Sequence, residues 1–291
     1  MSRQQKAYLL ALIAILLWST AGSAFKLTLE HISSAQLLLY ASFFSLLFLT
    51  AWKAVEGNLI LSFKISQREY LNSAIMGLLN PFAYYIILFE AYDLLLAQEA
   101  VALNYVWPLT LVLLSIPVLK QRISLLSVLA ILISFAGMLV IIMKGSFGDV
   151  ELSSPRGIFF ALISSFFWAS YWLMNMKDKR EEVSKLLVNF VFGFFYVLIY
   201  VFVTGVDIQI SMEGIGGSIY VGLFEMGLTY VLWLKALQLS STTAKVSNLV
   251  YISPFLSLMF VSVAVGETIY LYTIGGLALI VGGIVLQRLV K

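Results

Sequence analysis

The chain is 291 residues long, with 61% hydrophobic and 11% charged residues, a net charge of +3 and a mean hydropathy of +0.98. Soluble domains carry about 25% charged residues, so this composition excludes an ordinary soluble protein and predicts a polytopic membrane protein. The chain has no cysteine and one histidine, His31. This excludes disulfides, thiolate metal sites and a cysteine nucleophile, and it leaves little for other metal or acid–base chemistry.

Ten apolar stretches are long enough to cross a bilayer as helices, for which about 20 apolar residues are needed. They cover residues 7–25, 35–52, 72–89, 97–119, 125–143, 157–176, 186–204, 215–234, 243–265 and 269–287. The connections between them are short, so no soluble domain is expected. The first stretch has no cleavage site of small residues, and we expect it to be a retained helix rather than a signal peptide.

Lysine and arginine fall unequally on the two sides that these ten spans define. Of the 18 basic residues, only Lys26, Lys144 and Arg156 lie on one side, and the others share the opposite side with both termini. Positively charged loops stay in the cytoplasm, so both termini are predicted to be cytoplasmic.

The fourth span contains a proline, Pro108, shortly after Asn104 and Tyr105. Proline cannot donate a backbone hydrogen bond, so the carbonyl of Asn104 is expected to be freed. A free carbonyl inside a membrane is tolerated only where protein or a wet cavity satisfies it. The span is therefore predicted to line a cavity. The ninth span repeats the pattern, with Tyr251 and Pro254 in the places of Tyr105 and Pro108.

Other residues repeat at nearly the same offset. Trp18 in the first span resembles Trp168 in the sixth, and Gly77 in the third matches Gly222 in the eighth. These matches predict two repeats, residues 1–145 and 146–291, with five spans each. An odd number of spans places the two repeats in opposite orientations, which is the inverted-repeat plan of many secondary transporters. The predicted fold is an all-α polytopic membrane protein of ten transmembrane helices in two inverted five-helix repeats.

The fifth and tenth spans have almost no polar residues but carry small ones. These are Ala136, Gly137, Gly275, Gly276, Gly282 and Gly283. Small residues let helices approach closely, so these two spans are expected to be scaffold or dimer helices.

The two halves resemble the paired modules of the EamA branch of the drug/metabolite transporter superfamily. The resemblance covers nearly the whole chain and is carried by residues 16–20, 104–108, 253–254 and 265–267. It implies ten spans in two inverted repeats. The run from Tyr105 to Pro108 is also similar to the fourth helix of YddG-like aromatic amino acid exporters. In a departure from the family pattern, residues 120–121 are Lys-Gln where a Gly-Glu pair is expected.

Glu225 is the clearest candidate for a functional residue. It lies about halfway along the eighth span, and the repeat pairs it with Asn80 in the third. An ionisable group at this depth is costly to bury and usually has a function, such as accepting a substrate amine or carrying a proton. A hydrogen-bonded helix contact without a role in transport is the alternative. Gly222 and Thr229 share the helix face of Glu225.

Aromatic and amide residues away from the predicted membrane interfaces complete the candidate site. Such residues suit an organic solute that is flat or partly apolar, although many of them could serve packing alone. The candidates for substrate binding are Trp18, Asn80, Tyr84, Asn104, Tyr105, Trp168, Tyr171, Glu225, Tyr230, Asn248 and Tyr251, with Pro108 and Pro254 as helix kinks or gates. Helical spacing places Asn104 and Tyr105 on one face and Trp107 away from it, so Trp107 is the weaker candidate.

Five charged residues lie near the predicted ends of spans. Glu90, Glu99 and Lys26 are at outer ends, where ion pairing or interfacial exposure explains them. Lys235 and Lys245 are at inner ends and are interpreted first as cytoplasmic charges that set topology. A gate that contacts a substrate carboxylate is the alternative for these two lysines.

The resemblance implies a secondary transporter that exports amino acids, aromatic or other neutral ones, or similar small organic metabolites by alternating access. A uniporter or channel for other metabolites or drug-like solutes is the alternative. No enzyme, metal or cofactor is expected, because the chain has no cysteine, paired histidines or nucleotide-binding loop. The expected partners are a small-molecule substrate and the lipid bilayer, without nucleic acid, and a monomer and a homodimer are both compatible. The expected location is the bacterial inner (cell) membrane.

Overall fold

The computed structural model describes the chain except for residues 120–124, 147–153, 241–245, 247 and 290–291. Side chains at 112, 115–119, 125, 127, 248 and 287–289 also lie outside the description. In the described ranges all regular structure is helical and no strand occurs. The α-helices are α1 (Arg3–Leu29), α2 (Ser34–Val55), α3 (Leu59–Ser62), α4 (Gln67–Gly77), α5 (Tyr84–Leu94), α6 (Ala97–Asn104), α7 (Trp107–Leu119), α8 (Leu125–Ile142), α9 (Pro155–Lys177), α10 (Glu182–Thr204), α11 (Met212–Tyr220), α12 (Leu228–Leu239), α13 (Ser253–Phe260) and α14 (Leu271–Leu289).

In the described part of the chain, six helical stretches are long and apolar enough to cross a membrane. They are Arg3–Leu29, Ser34–Val55, Gln67–Leu94, Pro155–Lys177, Glu182–Thr204 and Met212–Leu239. Shorter apolar helices, Val128–Ile142, Leu249–Val265 and Leu271–Leu286, lie where the fifth, ninth and tenth spans are predicted. The predicted fourth span is divided into α6 and α7. These helices confirm an all-helical polytopic membrane protein, whereas the count of ten spans stays a prediction.

Serine residues mark where several helices begin. A serine side chain accepts a hydrogen bond from a backbone amide three residues later, and a Gln or Glu at that position bonds back to the serine amide. These capping boxes are formed by Ser2 with Gln5, Ser33 with Gln36 and Ser66 with Glu69. The local sequence therefore sets the starts of α1, α2 and α4.

The third and eighth predicted spans are both interrupted in the middle. Leu78–Ala83 joins α4 to α5 as a π-helical segment, and Val221–Glu225 joins α11 to α12 in the same way. Within the first segment Asn80 leaves the helical region, with φ −151° and ψ 121°. Single π-helical turns inside α-helices are frequent at functional sites. The two interruptions lie at matching positions of the two predicted repeats.

The fourth and ninth predicted spans leave the α-helix before their prolines. α6 ends at Asn104 and α7 starts at Trp107, so Pro108 lies in the first turn of α7. A 3-10 helix, Asn248–Ile252, leads into α13, whose first turn contains Pro254. A first-turn amide has no acceptor within its own helix, so proline is tolerated there. Each proline therefore starts a new helical segment instead of kinking a continuous one.

Helices of the first half pack mainly on helices of the second half. α1 packs against α12 and α13, and α9 packs against α5 and α7. α2 packs against α10, and α8 packs against α14. The repeat relates each contact to another one: α1 with α12 corresponds to α9 with α5, and α1 with α13 corresponds to α9 with α7. The contacts of α2 with α10 and of α8 with α14 each join a predicted span to its own repeat partner.

α8 and α14 approach closely through their small residues. A Cβ atom added at Gly137 would lie 2.4 Å from the carbonyl oxygen of Gly276, and one at Gly283 would lie 2.5 Å from that of Ala130. Gly275 and Gly282 face open space instead. The expected close packing through small residues is confirmed for one face of α14, and the other face is exposed.

Candidate functional site

A cavity of about 430 Å³ lies among α1, α5, α6, α7, α9, α12 and α13. This volume is in the range of pockets that bind small organic ligands, about 300–1,000 Å³. Both broken spans contribute to the wall, because α6 with α7 and the turn before α13 lie on it.

The wall of the cavity is mainly aromatic. Its aromatic residues are Trp18, Phe25, Tyr84, Tyr92, Tyr105, Trp107, Trp168, Trp172, Trp233 and Tyr251, which include five of the six tryptophans. Tyr84 stacks on Trp168 with ring centroids 4.6 Å apart, and Trp107 meets Trp168 edge to face at 6.4 Å. Rings that pack on each other have little freedom, so the wall is a preformed surface for a flat or apolar group.

Glu225 lines this cavity and is 7% exposed. It is the last residue of the π-helical segment, which Gly222 brings close to α2, since a Cβ atom there would lie 2.5 Å from the carbonyl of Ala41. The hydroxyl of Tyr85 donates to Oε1 of Glu225 at 3.0 Å. Oε2 accepts no hydrogen bond from the described residues. The carboxyl group is thus held through Oε1, whereas Oε2 is buried without a partner among the described residues.

A chain of hydrogen bonds runs from Glu225 into the first half. Because Tyr85 donates to Glu225, its oxygen is left to accept from the hydroxyl of Tyr230, 3.4 Å away. Tyr230 in turn accepts from Nδ2 of Asn80 at 3.2 Å. Asn80 and Glu225, which the repeat pairs with each other, therefore belong to one network across the two halves.

Asn104 and Tyr105 fix the end of α6 against its neighbours. Nδ2 of Asn104 donates to Ser164 on α9 at 2.9 Å, and Oδ1 accepts from Tyr84 at 3.5 Å. The hydroxyl of Tyr105 donates to the carbonyl of Val250, in the 3-10 turn before α13. This hydrogen bond joins the broken fourth span to the broken ninth span.

The structure brings most of the predicted site residues to the cavity wall. Those on the wall are Trp18, Tyr84, Asn104, Tyr105, Pro108, Trp168, Glu225 and Tyr251. Asn80, Tyr171 and Tyr230 are buried behind the wall, and Pro254 is buried in the first turn of α13. The backbone of Asn248 starts the 3-10 turn, but its side chain lies outside the described part of the structure.

The position of Trp107 differs from the one that helical spacing predicts. A continuous helix would turn Trp107 away from the face of Asn104 and Tyr105, yet Trp107 lies on the cavity wall with them. The helix stops at Asn104 and restarts at Trp107, so the angular spacing of one regular helix does not carry across the break.

Sequence reasoning missed Tyr85 and several wall residues. Tyr85 is next to Tyr84 and would point elsewhere on a regular helix, so only its contact with Glu225 identifies it. Gly22 and Trp233 on the wall were also missed. A Cβ atom at Gly22 would lie 2.9 Å from the hydroxyl oxygen of Tyr92, which gives this glycine a packing role that its helix pattern does not signal.

The basic residues at the ends of the spans are engaged away from the cavity. Nζ of Lys26 donates to the carbonyls of Tyr92 and Leu95, at the end of α5. Lys235 contacts Glu56 at 3.3 Å and lies over the ring of Trp52 at 4.5 Å. This contact joins Lys235 on α12 to Glu56 at the end of α2, and both interpretations of Lys235 stay predictions. Lys245, like Lys120 and Gln121, is outside the described residues.

The acidic residues outside the cavity have structural contacts. Glu90 pairs with Arg156 at 3.7 Å, and Glu99 is buried in α6. Glu267 accepts from the backbone amides of Ala97 and Gln98 at 2.7 and 3.1 Å, which caps the start of α6.

A buried ion pair closes the loop between α9 and α10. Asp178 and Arg180 meet at 2.5 Å, with side chains 5% and 10% exposed. Burial alone would raise the pKa of Asp178, but the hydrogen bonds and charge of Arg180 outweigh it and lower that pKa below its ordinary value of 3.8. In the described part of the chain no group of three or more His, Asp or Glu residues could hold a metal ion.

Known proteins resemble this chain over nearly its whole length. A model of the EamA-like transporter family matches residues 5–143 and 155–288. An uncharacterized transporter of Archaeoglobus fulgidus is 24% identical over 285 residues, which cover 95% of this chain and 96% of the relative. An uncharacterized transporter from the sor 3′ region of Acidianus ambivalens is 28% identical over 253 residues, covering 84% and 94%. A crystal structure at 21% identity has a TM-score of 0.70 and covers 98% of this chain and 97% of its own, so it shares the fold.

Membrane-length helices around a cavity with aromatic walls define a polytopic membrane protein with a cavity of the size that small organic ligands occupy. The family model covers most of the chain, and the protein therefore belongs to the EamA-like transporter family of the drug/metabolite transporter superfamily. It is a membrane transporter, and this membership favours a non-enzymatic role. The narrower similarity to YddG-like exporters stays a prediction.

Proposed function

We propose that the protein is a secondary transporter that moves small organic solutes through the cavity by alternating access. Its substrates would combine an aromatic or apolar body with an amino group. Neutral and aromatic amino acids, or similar metabolites leaving the cell, are the class that the YddG-like similarity suggests. The observation that carries the proposal is the cavity, which has aromatic walls and one carboxylate and lies between helices of the two halves.

The plan of ten spans in two inverted repeats, residues 1–145 and 146–291, is part of this proposal. Three observations support it. The family model matches the chain twice, at residues 5–143 and 155–288. Helix contacts occur in matching pairs, and the π-helical segments lie at matching positions. Two inverted repeats can rock against each other around a central site, which opens it to one side at a time.

The broken fourth and ninth spans are the proposed moving parts. Both line the cavity, and broken helices in transporters are tolerated where they surround a binding site. The hydrogen bond from Tyr105 to the carbonyl of Val250 holds them together in the described conformation. A change between conformations would have to break or rearrange this contact.

We place both termini in the cytoplasm and the protein in a bacterial inner membrane, because the basic loops share the side of the termini. The absence of cysteine makes this testable with single substitutions. Lys64→Cys lies in an exposed inner loop and Ile208→Cys in an exposed outer loop of the proposed topology. A membrane-impermeant maleimide should label only Ile208→Cys in intact cells, whereas labelling of Lys64→Cys alone would reverse the orientation.

Counterflow in proteoliposomes tests the transport function. Vesicles are loaded with a mixture of amino acids, amines and other metabolites, and the release of each is followed by mass spectrometry. We expect selective, saturable release that Glu225→Gln and Tyr105→Ala reduce. Glu90→Gln is the matched control, since it neutralises a carboxylate that pairs with Arg156 outside the cavity.

The outcomes separate the alternatives. Selective release that neither cavity variant changes would retain the transporter and remove this site. Release without saturation or selectivity would favour a channel.

A further inference from the structure

The described wall of the cavity contains an acidic residue and no basic residue. Glu225 is the only charged side chain among the described residues that line the cavity, and that described wall contains no lysine, arginine or histidine. Lys26 is held by backbone carbonyls, and Lys235 is held by Glu56. The described wall therefore offers one acidic group to a ligand and no basic one.

Glu225 has a buried hydrogen-bond acceptor that lacks a donor among the described residues. Tyr85 already donates to Oε1, whereas Oε2 has no donor among the described residues. A buried acceptor without a partner is unfavourable by about 1–3 kcal/mol, and a ligand that donates to it removes this penalty. An ammonium group supplies donors and the opposite charge together, which makes the hydrogen bond stronger than one from a neutral donor.

The aromatic wall also favours a cation. Ring faces attract ammonium groups through their negative quadrupole, and the effect increases when the ammonium group leaves water. Tyr84 stacks on Trp168, and both Trp18 and Trp168 meet Tyr230 edge to face, at 6.1 and 5.9 Å. These rings lie on or directly behind the same wall as Glu225.

We propose that the cavity selects organic amines that carry a positive charge and no carboxylate, with the ammonium group bound to Glu225 and the body between the rings. The inference rests on the proposed function; among the solutes with an amino group named there, it favours amines without a carboxylate over amino acids. A zwitterion such as an amino acid would bring a second carboxylate into a wall that has no described cation to pair with it. Like charges repel strongly in such a partly dry site.

Three probes with the same phenylethyl body separate the charge types: 2-phenylethylamine is a cation, phenylalanine is a zwitterion and 3-phenylpropionate is an anion at neutral pH. Binding to the purified, unaltered protein is followed by tryptophan fluorescence, because five of the six tryptophans line the cavity. We expect the amine to bind about 10-fold or more tightly than phenylalanine, because an unpaired carboxylate is costly to desolvate. The anion should bind most weakly.

Substitution of Glu225 tests whether this carboxylate causes the preference. Glu225→Gln keeps the shape and removes the charge, so the amine should lose its advantage of about 10-fold over phenylalanine. Glu90→Gln should keep the ranking of the unaltered protein. If Glu225→Gln has no cooperative melting transition, the ranking of the three probes on the unaltered protein decides alone.

Two results would overturn the inference. One is phenylalanine binding as tightly as the amine to the unaltered protein, and the other is an unchanged ranking in a folded Glu225→Gln variant. If phenylalanine is then exchanged in counterflow, the proposed transport function stands without the amine preference. If no solute of any class is exchanged, the transport function fails, and the inference that rests on it fails too.

Discussion

Replacing Gly276 by alanine is expected to push α14 away from α8. The added Cβ atom would lie 2.6 Å from the carbonyl oxygen of Gly137 and 2.5 Å from Cγ1 of Ile141. Ordinary van der Waals contact between this Cβ atom and the carbonyl oxygen of Gly137 needs a distance about 0.8 Å greater. Protein interiors are close-packed, so the helices must move apart to provide it. Overpacking of this kind costs about 1–3 kcal/mol. The better helix propensity of alanine returns about 1 kcal/mol, so the variant should be less stable by about 1 kcal/mol.

Gly275 is the matched control, because it is the preceding residue and faces open space. Gly275→Ala gains the helix propensity without the clash, so it should be more stable by about 1 kcal/mol. Thermal unfolding in detergent should therefore move in opposite directions for the two variants. Equal shifts would refute the close approach of α8 and α14. A Gly275→Ala variant that changes the oligomeric state would instead place this exposed face in a dimer contact.

Three further changes test contacts near the site and at the ends of the bundle. Tyr105→Phe removes the hydrogen bond between the broken spans, so the protein should lose about 1 kcal/mol of stability and exchange solute at a different rate in counterflow; an unchanged rate and melting temperature would contradict a linking role. Glu267→Gln weakens the cap on the first amides of α6 and should cost about 1 kcal/mol of stability. An unchanged melting temperature at low salt would disprove this. Asp178→Asn leaves the buried Arg180 unpaired and should cost about 3 kcal/mol near neutral pH. Folding lowers the pKa of Asp178, so its contribution to stability is present above pH 3.8 and is lost as the pH falls further. The melting temperature of the Asn variant should therefore fall less on acidification than that of the unaltered protein. An equal fall in both proteins would argue against this ion pair.

The network from Asn80 to Glu225 gives a physical meaning to a match that the sequence only suggests. Both residues are buried, and Tyr230 and Tyr85 connect them by hydrogen bonds. A carboxylate that is held from the opposite half is sensitive to any movement between the halves. A ligand bound to Glu225, as we propose, would therefore act on the contact between the two halves.

Composition and local pattern were enough to predict the class of the protein. The 61% hydrophobic content and the spacing of apolar stretches predicted a polytopic helical membrane protein, because a bilayer demands long apolar helices that satisfy their own backbone. The motifs around Trp18, Pro108 and Pro254 led to the family that the chain belongs to. Glu225 was found because a carboxylate in an apolar span is conspicuous, and the structure places it on the cavity wall.

Which side chains meet was decided only by the tertiary structure. Trp107 lies on the wall because the helix breaks before it. Tyr85, near the start of α5, matters because it donates a hydrogen bond to Glu225 from the other half. Lys235 is bound by Glu56 from another helix. Periodicity describes positions within one regular helix, but it does not give the angle across a break or the partner from a distant span. Those depend on how the helices pack.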